Sequence, residues 1–258
     1  MTWFTASCKA ELLKMRRSKT FWITLLAAVF VPLMMGLLMY VSKSPDYARK
    51  MGLIGTKAQL VGRVDWRTYL NFLSQAVSIG GMFLFGFVVS WIFGREYSDR
   101  TFKDLIALPA PRPTVVWSKF AATALWCILL TLLIIVFGLL IGFCIVIPGW
   151  SPGIAAQGLL ILLVSGILTI LVSFPVAFFA SAGGGYMAPM AFVVLTIVLA
   201  QVAGALGWGA YFPWAVPALY TGAAGVINLG FASYAVLLLA SAAGMSGTLL
   251  WWRYADHK

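Results

Sequence analysis

Between Lys119 and Arg253 the chain contains no Asp, Glu, Lys or Arg. A stretch of that length without a formal charge has too little polar surface to fold around a water-excluded core. The whole sequence has the same bias, with 62% hydrophobic and 10% charged residues among 258, against roughly one-quarter charged in soluble domains. The apolar residues come in runs of about 20 or more, enough to cross a hydrocarbon layer, so lipid is the solvent this chain is built for. The spans are read as helices, because an open sheet leaves its edge backbone groups unpaired in lipid.

These runs predict an all-α membrane protein with six transmembrane helices, at residues 21–41, 72–93, 115–147, 154–180, 187–206 and 229–252. The basic segment at the N-terminus precedes a run too long for a cleaved signal, so the first span is expected to be retained. The third run exceeds a perpendicular crossing at about 1.5 Å per residue and must tilt or protrude. Pro32 and Pro175 fall inside spans and should bend them. Gly183 to Gly185 reads as a tight turn. Residues 204–225 are apolar but too broken for one straight helix, and read as a broken re-entrant or interfacial segment before span six.

Charge placement sets the orientation. Of the 18 Lys and Arg residues, twelve fall at residues 9–19, 95–119 and 253–258 and six in the loop between spans one and two, which places both termini on the cytoplasmic side of a multi-pass membrane topology. The net charge of +11 therefore reads as lipid anchoring and topology, with no nucleic-acid partner. Cys8, Cys127 and Cys144 are too widely spaced for a metal site or disulfide framework. His257 is the single histidine and lies in the tail, and no span carries a nucleophile and base pair, so the chain is not expected to be an enzyme. Nor is there a glycine-rich phosphate loop; the run from Gly52 to Lys57 has the wrong spacing. Beyond Lys119, near the start of span three, spans three to six carry no Asp, Glu, Lys, Arg or His, which disfavours an ion-coupled carrier.

Two charged segments carry more information. In residues 1–20, Phe4, Cys8, Leu12 and Met15 recur at helical spacing against Lys9, Glu11, Lys14, Arg16 and Arg17, predicting an amphipathic interfacial helix with Lys14, Arg16 and Arg17 toward the lipid headgroups. In residues 94–112, a helical reading pairs Glu96 with Arg100, Asp99 with Lys103 and Arg100 with Asp104, leaves Phe102, Leu105 and Ile106 as an apolar knob, and stops at Pro109. That is an exposed docking helix between spans two and three. Gly138 and Gly142 in span three permit close helix approach. Gln201, inside span five, reads either as a helix contact or as pathway lining, and Phe212 and Trp214 sit in the broken segment beside it.

The run Arg95, Glu96, Tyr97, then Thr101, Leu105 and Pro109, followed by Arg112, resembles the cytoplasmic coupling loop of ABC-2 type transporter permeases. The basic N-terminal helix, the six spans and the broken segment before span six fit the same family, and residues 212–220 are similar to the smaller bacitracin and lantibiotic-immunity permeases. The resemblance implies the permease subunit of an ATP-driven exporter of an antimicrobial peptide or other amphipathic compound, working as a homodimer or pseudo-dimer. It implies two copies of a separate ABC ATPase, which would hold the ATP and Mg, with no cofactor on this chain. It also implies that Arg95, Glu96, Tyr97, Arg100, Thr101, Phe102, Lys103, Leu105 and Pro109 form the ATPase-docking coupling helix. The alternatives are a non-transporting membrane scaffold that docks a cytoplasmic partner through the same segment, and an ion-coupled carrier.

Overall fold

The computed structural model describes residues 3–43, 64–102, 111–223 and 229–254, and all regular structure among them is helical. Helix α1 (Trp3–Arg17) is followed after the single residue Ser18 by α2 (Lys19–Lys43), then α3 (Trp66–Ser98), α4 (Arg112–Cys144), α5 (Pro152–Ser173), α6 (Val176–Ala182), α7 (Met187–Ala205), a one-turn 3-10 helix (Gly209–Tyr211), α8 (Val216–Tyr220) and α9 (Phe231–Tyr254). Among the described residues, six stretches are long and apolar enough to cross a membrane, with α5 and α6 together forming the fourth. Large apolar side chains point outward along α2, among them Trp22, Leu26, Phe30, Leu33 and Leu37. In lipid such a face is ordinary.

The helix limits follow local chemistry. Span two is longer than residues 72–93 at both ends. It starts at an Asp65 cap whose carboxylate accepts from the Thr68 amide at 2.8 Å, and it runs on through Arg95, Glu96 and Tyr97 to Ser98. Span four breaks where Pro175 was expected to bend it, separating α5 from α6, whereas Pro32 sits within an unbroken α2. The turn at Gly183 to Gly185 is present, with Gly184 at φ 60°. Residues 204–223 are broken as expected, holding the 3-10 turn and α8 rather than one helix.

α3 is the central element of the bundle, packing on α4, α5, α6 and α7. Gly138 and Gly142 face it: a Cβ at Gly138 would meet Leu73 at 2.6 Å, one at Gly142 would run into the Trp66 ring, and the Tyr69 hydroxyl donates to the Gly138 carbonyl at 3.0 Å. The spacing that permits close helix approach thus serves packing inside this chain. Trp126 on α4 donates to Thr24 on α2 at 3.1 Å, and Trp252 on α9 donates to Ser181 on α6 at 3.0 Å. Polar contacts of this kind fix helix rotation where apolar packing alone discriminates weakly. At the far end, Lys43 Nζ donates to the Val146 carbonyl at 3.1 Å, placing a cation at the C-terminus of α4 where the helix dipole favours it.

Candidate functional site

The functional candidates gather at the end of the bundle that carries α1. α3 ends there in a Schellman motif: Asp99 is the cap, Arg100 takes the left-handed conformation at φ 58°, the Arg100 amide donates to the Tyr97 carbonyl at 3.2 Å, and the Thr101 amide donates to the Glu96 carbonyl at 3.0 Å. The continuous helix expected through this segment therefore does not exist. Because Arg100 turns the chain out of the helix, it cannot face Glu96; Arg95 instead bonds Asp99 at 3.2 Å. Lys103, Asp104, Leu105, Ile106 and Pro109 lie outside the described residues.

The expectation that Glu96 and Phe102 are water-facing is also corrected. Glu96 is 4% exposed and Phe102 6%. Phe102 stacks on Tyr97 with ring centroids 4.2 Å apart and meets Trp252 edge-on at 5.1 Å, so α9 is held against the end of α3. Arg112 joins the same corner, donating to the Trp252 carbonyl at 3.4 Å. Among the described residues from 94 to 102, Ser98, Asp99, Arg100 and Thr101 are exposed, with Arg95 and Tyr97 half-buried.

Beneath that surface lies a four-membered ion network. Lys119, on α4 and fully buried, places Nζ 2.7 Å from Glu96 Oε1 and 3.4 Å from Glu11 Oε1, and donates to the Ile92 carbonyl at 2.9 Å. Lys14 Nζ is 2.9 Å from Glu11 Oε1 and 3.1 Å from Glu96 Oε1. Two carboxylates face two ammonium groups, so the cluster is neutral as a whole, which is the condition under which buried charge is tolerated. Burial opposes the charged form of Lys14, but Glu11 and Glu96 outweigh it and hold its pKa above the ordinary lysine value. Lys14 thus keeps its charge at neutral pH.

This network changes the reading of α1. On the stripe expected to be apolar, Met15 is buried, Cys8 and Leu12 are half-buried, and Phe4 borders a shallow cavity with Trp117, Phe120, Phe174 and Met245. Glu11, assigned to the polar face, lies on the same stripe as Phe4 and Met15 at i+7 and i−4, and it points inward to Lys119. Arg16 and Arg17 remain exposed. Neither Glu11 nor Lys119 was singled out from sequence as a partner of Glu96. The available signal was Lys119 itself, a lone cation inside an apolar run.

The other candidates lie apart from this end. Gln201 and Trp214 line a cavity of about 460 Å³ between α3, α7 and α8, walled by Ile79, Met82 and a set of alanines. Trp214 is fixed by its indole N–H, which donates to the Val172 carbonyl at 3.0 Å, and Phe212 packs on it with centroids 5.4 Å apart. Gln201 is therefore cavity lining. A lining of mostly apolar side chains whose accessible surface is nearly half polar suits an amphipathic group.

Residues 7–202 match the model of the ABC-2 family transporter proteins. The bacitracin transport permease protein BCRB of Bacillus licheniformis is 25% identical over 134 residues, covering 52% of this chain and 64% of that protein. The match therefore spans a little under two thirds of that relative's length.

Proposed function

The chain belongs to the ABC-2 family of transporter proteins, and we propose that it is the membrane-spanning permease subunit of an ATP-driven exporter whose cargo is an antimicrobial peptide or another amphipathic compound. It is a multi-pass membrane protein of the transport class. The observation that carries the proposal is the surface at the end of α3. There Ser98, Asp99, Arg100 and Thr101 are exposed, next to the buried side chains of Glu96, Phe102, Lys119 and Trp252. An exposed, charged turn at the end of a span gives a separate motor subunit a point from which to push on membrane helices. The sequence has no phosphate-binding loop of its own, so ATP is hydrolysed on two copies of a cassette subunit that dock at this end, which faces the cytoplasm together with both termini.

The cavity lined by Gln201 and Trp214 supports the cargo class: its surface is polar and apolar in nearly equal parts, and among the described residues no ionisable side chain lines it. The name of the relative, a bacitracin transport permease, points to the same kind of compound. Two copies of the permease, identical or paired with a related chain, would enclose the route.

The test is a mild-detergent purification of the tagged chain from its native cells, with mass spectrometry of co-purifying proteins and an ATPase assay on the product. A cassette ATPase with vanadate-sensitive hydrolysis, stimulated by bacitracin or another amphipathic peptide, is expected. If the chain emerges alone, the exporter reading gives way to a scaffold or an ion-coupled carrier. Stimulation by a small hydrophilic solute with none by a lipopeptide would overturn the cargo class.

A further inference from the structure

We propose that Glu11, Lys14 and Lys119 are positioning residues that clamp α1 to the end of α3, so that the interfacial helix moves with the segment the ATPase engages. This rests on the reading of residues 94–112 as the docking segment. Three observations carry it.

First, α1 has a weak covalent constraint and a strong polar one. Only Ser18 separates it from α2, in a turn where the Ser18 amide donates to the Met15 carbonyl at 3.0 Å and the Thr20 amide to the Ser18 hydroxyl at 3.0 Å. A one-residue joint lets two helices change their mutual angle. Among the described residues, the ion pairs of α1 with other helices run from Glu11 to Lys119 and from Lys14 to Glu96, so these two residues, together with the packing of Leu12 and Met15, hold the angle at the joint.

Second, the network bridges three helices at the place where a push arrives. Glu96 lies two residues before the end of α3, and its own carbonyl accepts the Thr101 amide that closes the Schellman turn. Any displacement of the segment after Ser98 is therefore felt at Glu96 first. Glu96 Oε1 holds both ammonium groups at 2.7 and 3.1 Å, so a shift of about an ångström at α3 must either break these bonds or carry α1 along.

Third, the charges are arranged so that α1 can be released without leaving a buried charge behind. Glu96 and Lys119 balance each other within the bundle, and Glu11 and Lys14 balance each other on α1, 2.9 Å apart. A latch that parts along this seam separates two neutral pairs, which avoids the large penalty of an unpaired buried ion.

The reporter for the test is native. Cys8 is half-buried on α1, Cys127 is buried in α4, and Cys144 is exposed at the other end of α4. A nitroxide is attached to Cys8 in a Cys144→Ser background, in the full chain purified with whatever ATPase accompanies it. Nitroxide mobility is preferred to labelling rate because the Cys8 thiol pKa is raised by burial and by the charge of Glu11, so a Glu11 substitution would alter reactivity even with the helix in place. The variants are Glu11→Gln, Lys14→Gln and the double Glu11→Gln/Lys14→Gln.

In the parent protein an immobilised spectrum is expected, with a mobile component that changes on vanadate trapping. In the double variant the ATPase still co-purifies, and the ratio of mobile to immobilised signal rises roughly tenfold and no longer responds to nucleotide. Each single variant leaves a net charge in the network and is recovered in lower yield than the double, an ordering that loss of packing alone would not produce. Unchanged mobility in the double variant overturns the clamp, as does a nucleotide response equal to the parent's. If no cassette subunit accompanies the parent protein, the docking reading is lost, and mobility in the absence of nucleotide decides the clamp: an increase supports it and equality overturns it.

Discussion

Lys119 Nζ lies 2.7 Å from Glu96 Oε1, and the lysine side chain has no solvent exposure at all. An ammonium group in that position is stable only while its acceptors are in place, and the converse holds for the two carboxylates around it. Replacing Lys119 by Met leaves Glu11 and Glu96 sharing Lys14 alone and strips the Ile92 carbonyl of its side-chain donor. The expected cost is about 3–5 kcal/mol, the usual penalty for breaking a buried pair by removing one partner. The double variant Glu96→Gln/Lys119→Met keeps the Glu11–Lys14 pair balanced and should recover much of that loss. Thermal unfolding in detergent checks both; a double variant as unstable as the single would show that charge balance is not the controlling factor.

Among the described residues, two helix ends place a residue other than glycine in the left-handed region. Arg100 has φ 58° and closes α3, while Val146 has φ 56° and closes α4, with the Ile147 amide donating to the Gly142 carbonyl at 3.3 Å. The conformation costs an L-residue roughly 1–2 kcal/mol, and the β-branch of Val146 makes it worse. Val146 is 72% exposed, so its side chain contributes little packing. Val146→Gly should raise stability by about 1 kcal/mol, read as a higher melting temperature, whereas Val146→Ala should give a much smaller gain. A loss of stability in the glycine variant would mean the Val146 side chain packs in a way that offsets its backbone conformation.

The six spans were legible because each is a run of apolar residues, and the break at Pro175 because proline cannot continue the hydrogen-bond ladder between α5 and α6. The end of α3 was not. A helical reading of residues 94–112 is reasonable on charge spacing, but Arg100 occupies the position where a glycine would have announced the stop. The network was hidden for a different reason. Glu11, Glu96 and Lys119 belong to three separate helices, and each has a local role that suffices when its own neighbourhood is read alone: headgroup contact, docking and topology. Only the packing of α1 on α4 brings them together.

Close backbone approach at the same end makes a further prediction. A Cβ at Gly94 would sit 2.8 Å from the Gly185 carbonyl oxygen and 3.2 Å from the Tyr186 ring. The obstacle is backbone in a tight turn, so it cannot rotate away as a side chain would. Gly94→Ala should push α3 from the turn between α6 and α7 and cost about 1–3 kcal/mol. Gly80→Ala, on the same helix with nothing within 4 Å of the added carbon, should be neutral or slightly stabilising. Melting temperatures of the two variants compared in one detergent decide the matter, and equal effects would sink the close-approach argument.

The cavity makes the last prediction, and it separates function from folding. Gln201 borders the cavity and is exposed, so removing its amide takes no buried bond from the fold. Gln201→Leu should therefore leave the unfolding free energy within about 0.5 kcal/mol of the parent, as expected for an exposed site. If the cavity holds part of the cargo, the same change removes a side-chain amide that can orient a polar group there, and peptide-stimulated ATPase activity should fall by roughly tenfold while basal hydrolysis is kept. Trp214 is different, because its indole is tied to Val172. Trp214→Phe keeps the ring and loses that bond, so it should lower both stability and stimulation. Were Gln201→Leu to leave peptide stimulation unchanged across a panel that includes bacitracin, the cavity would have no part in cargo recognition, and the route would have to be sought on another face of α3 or α7.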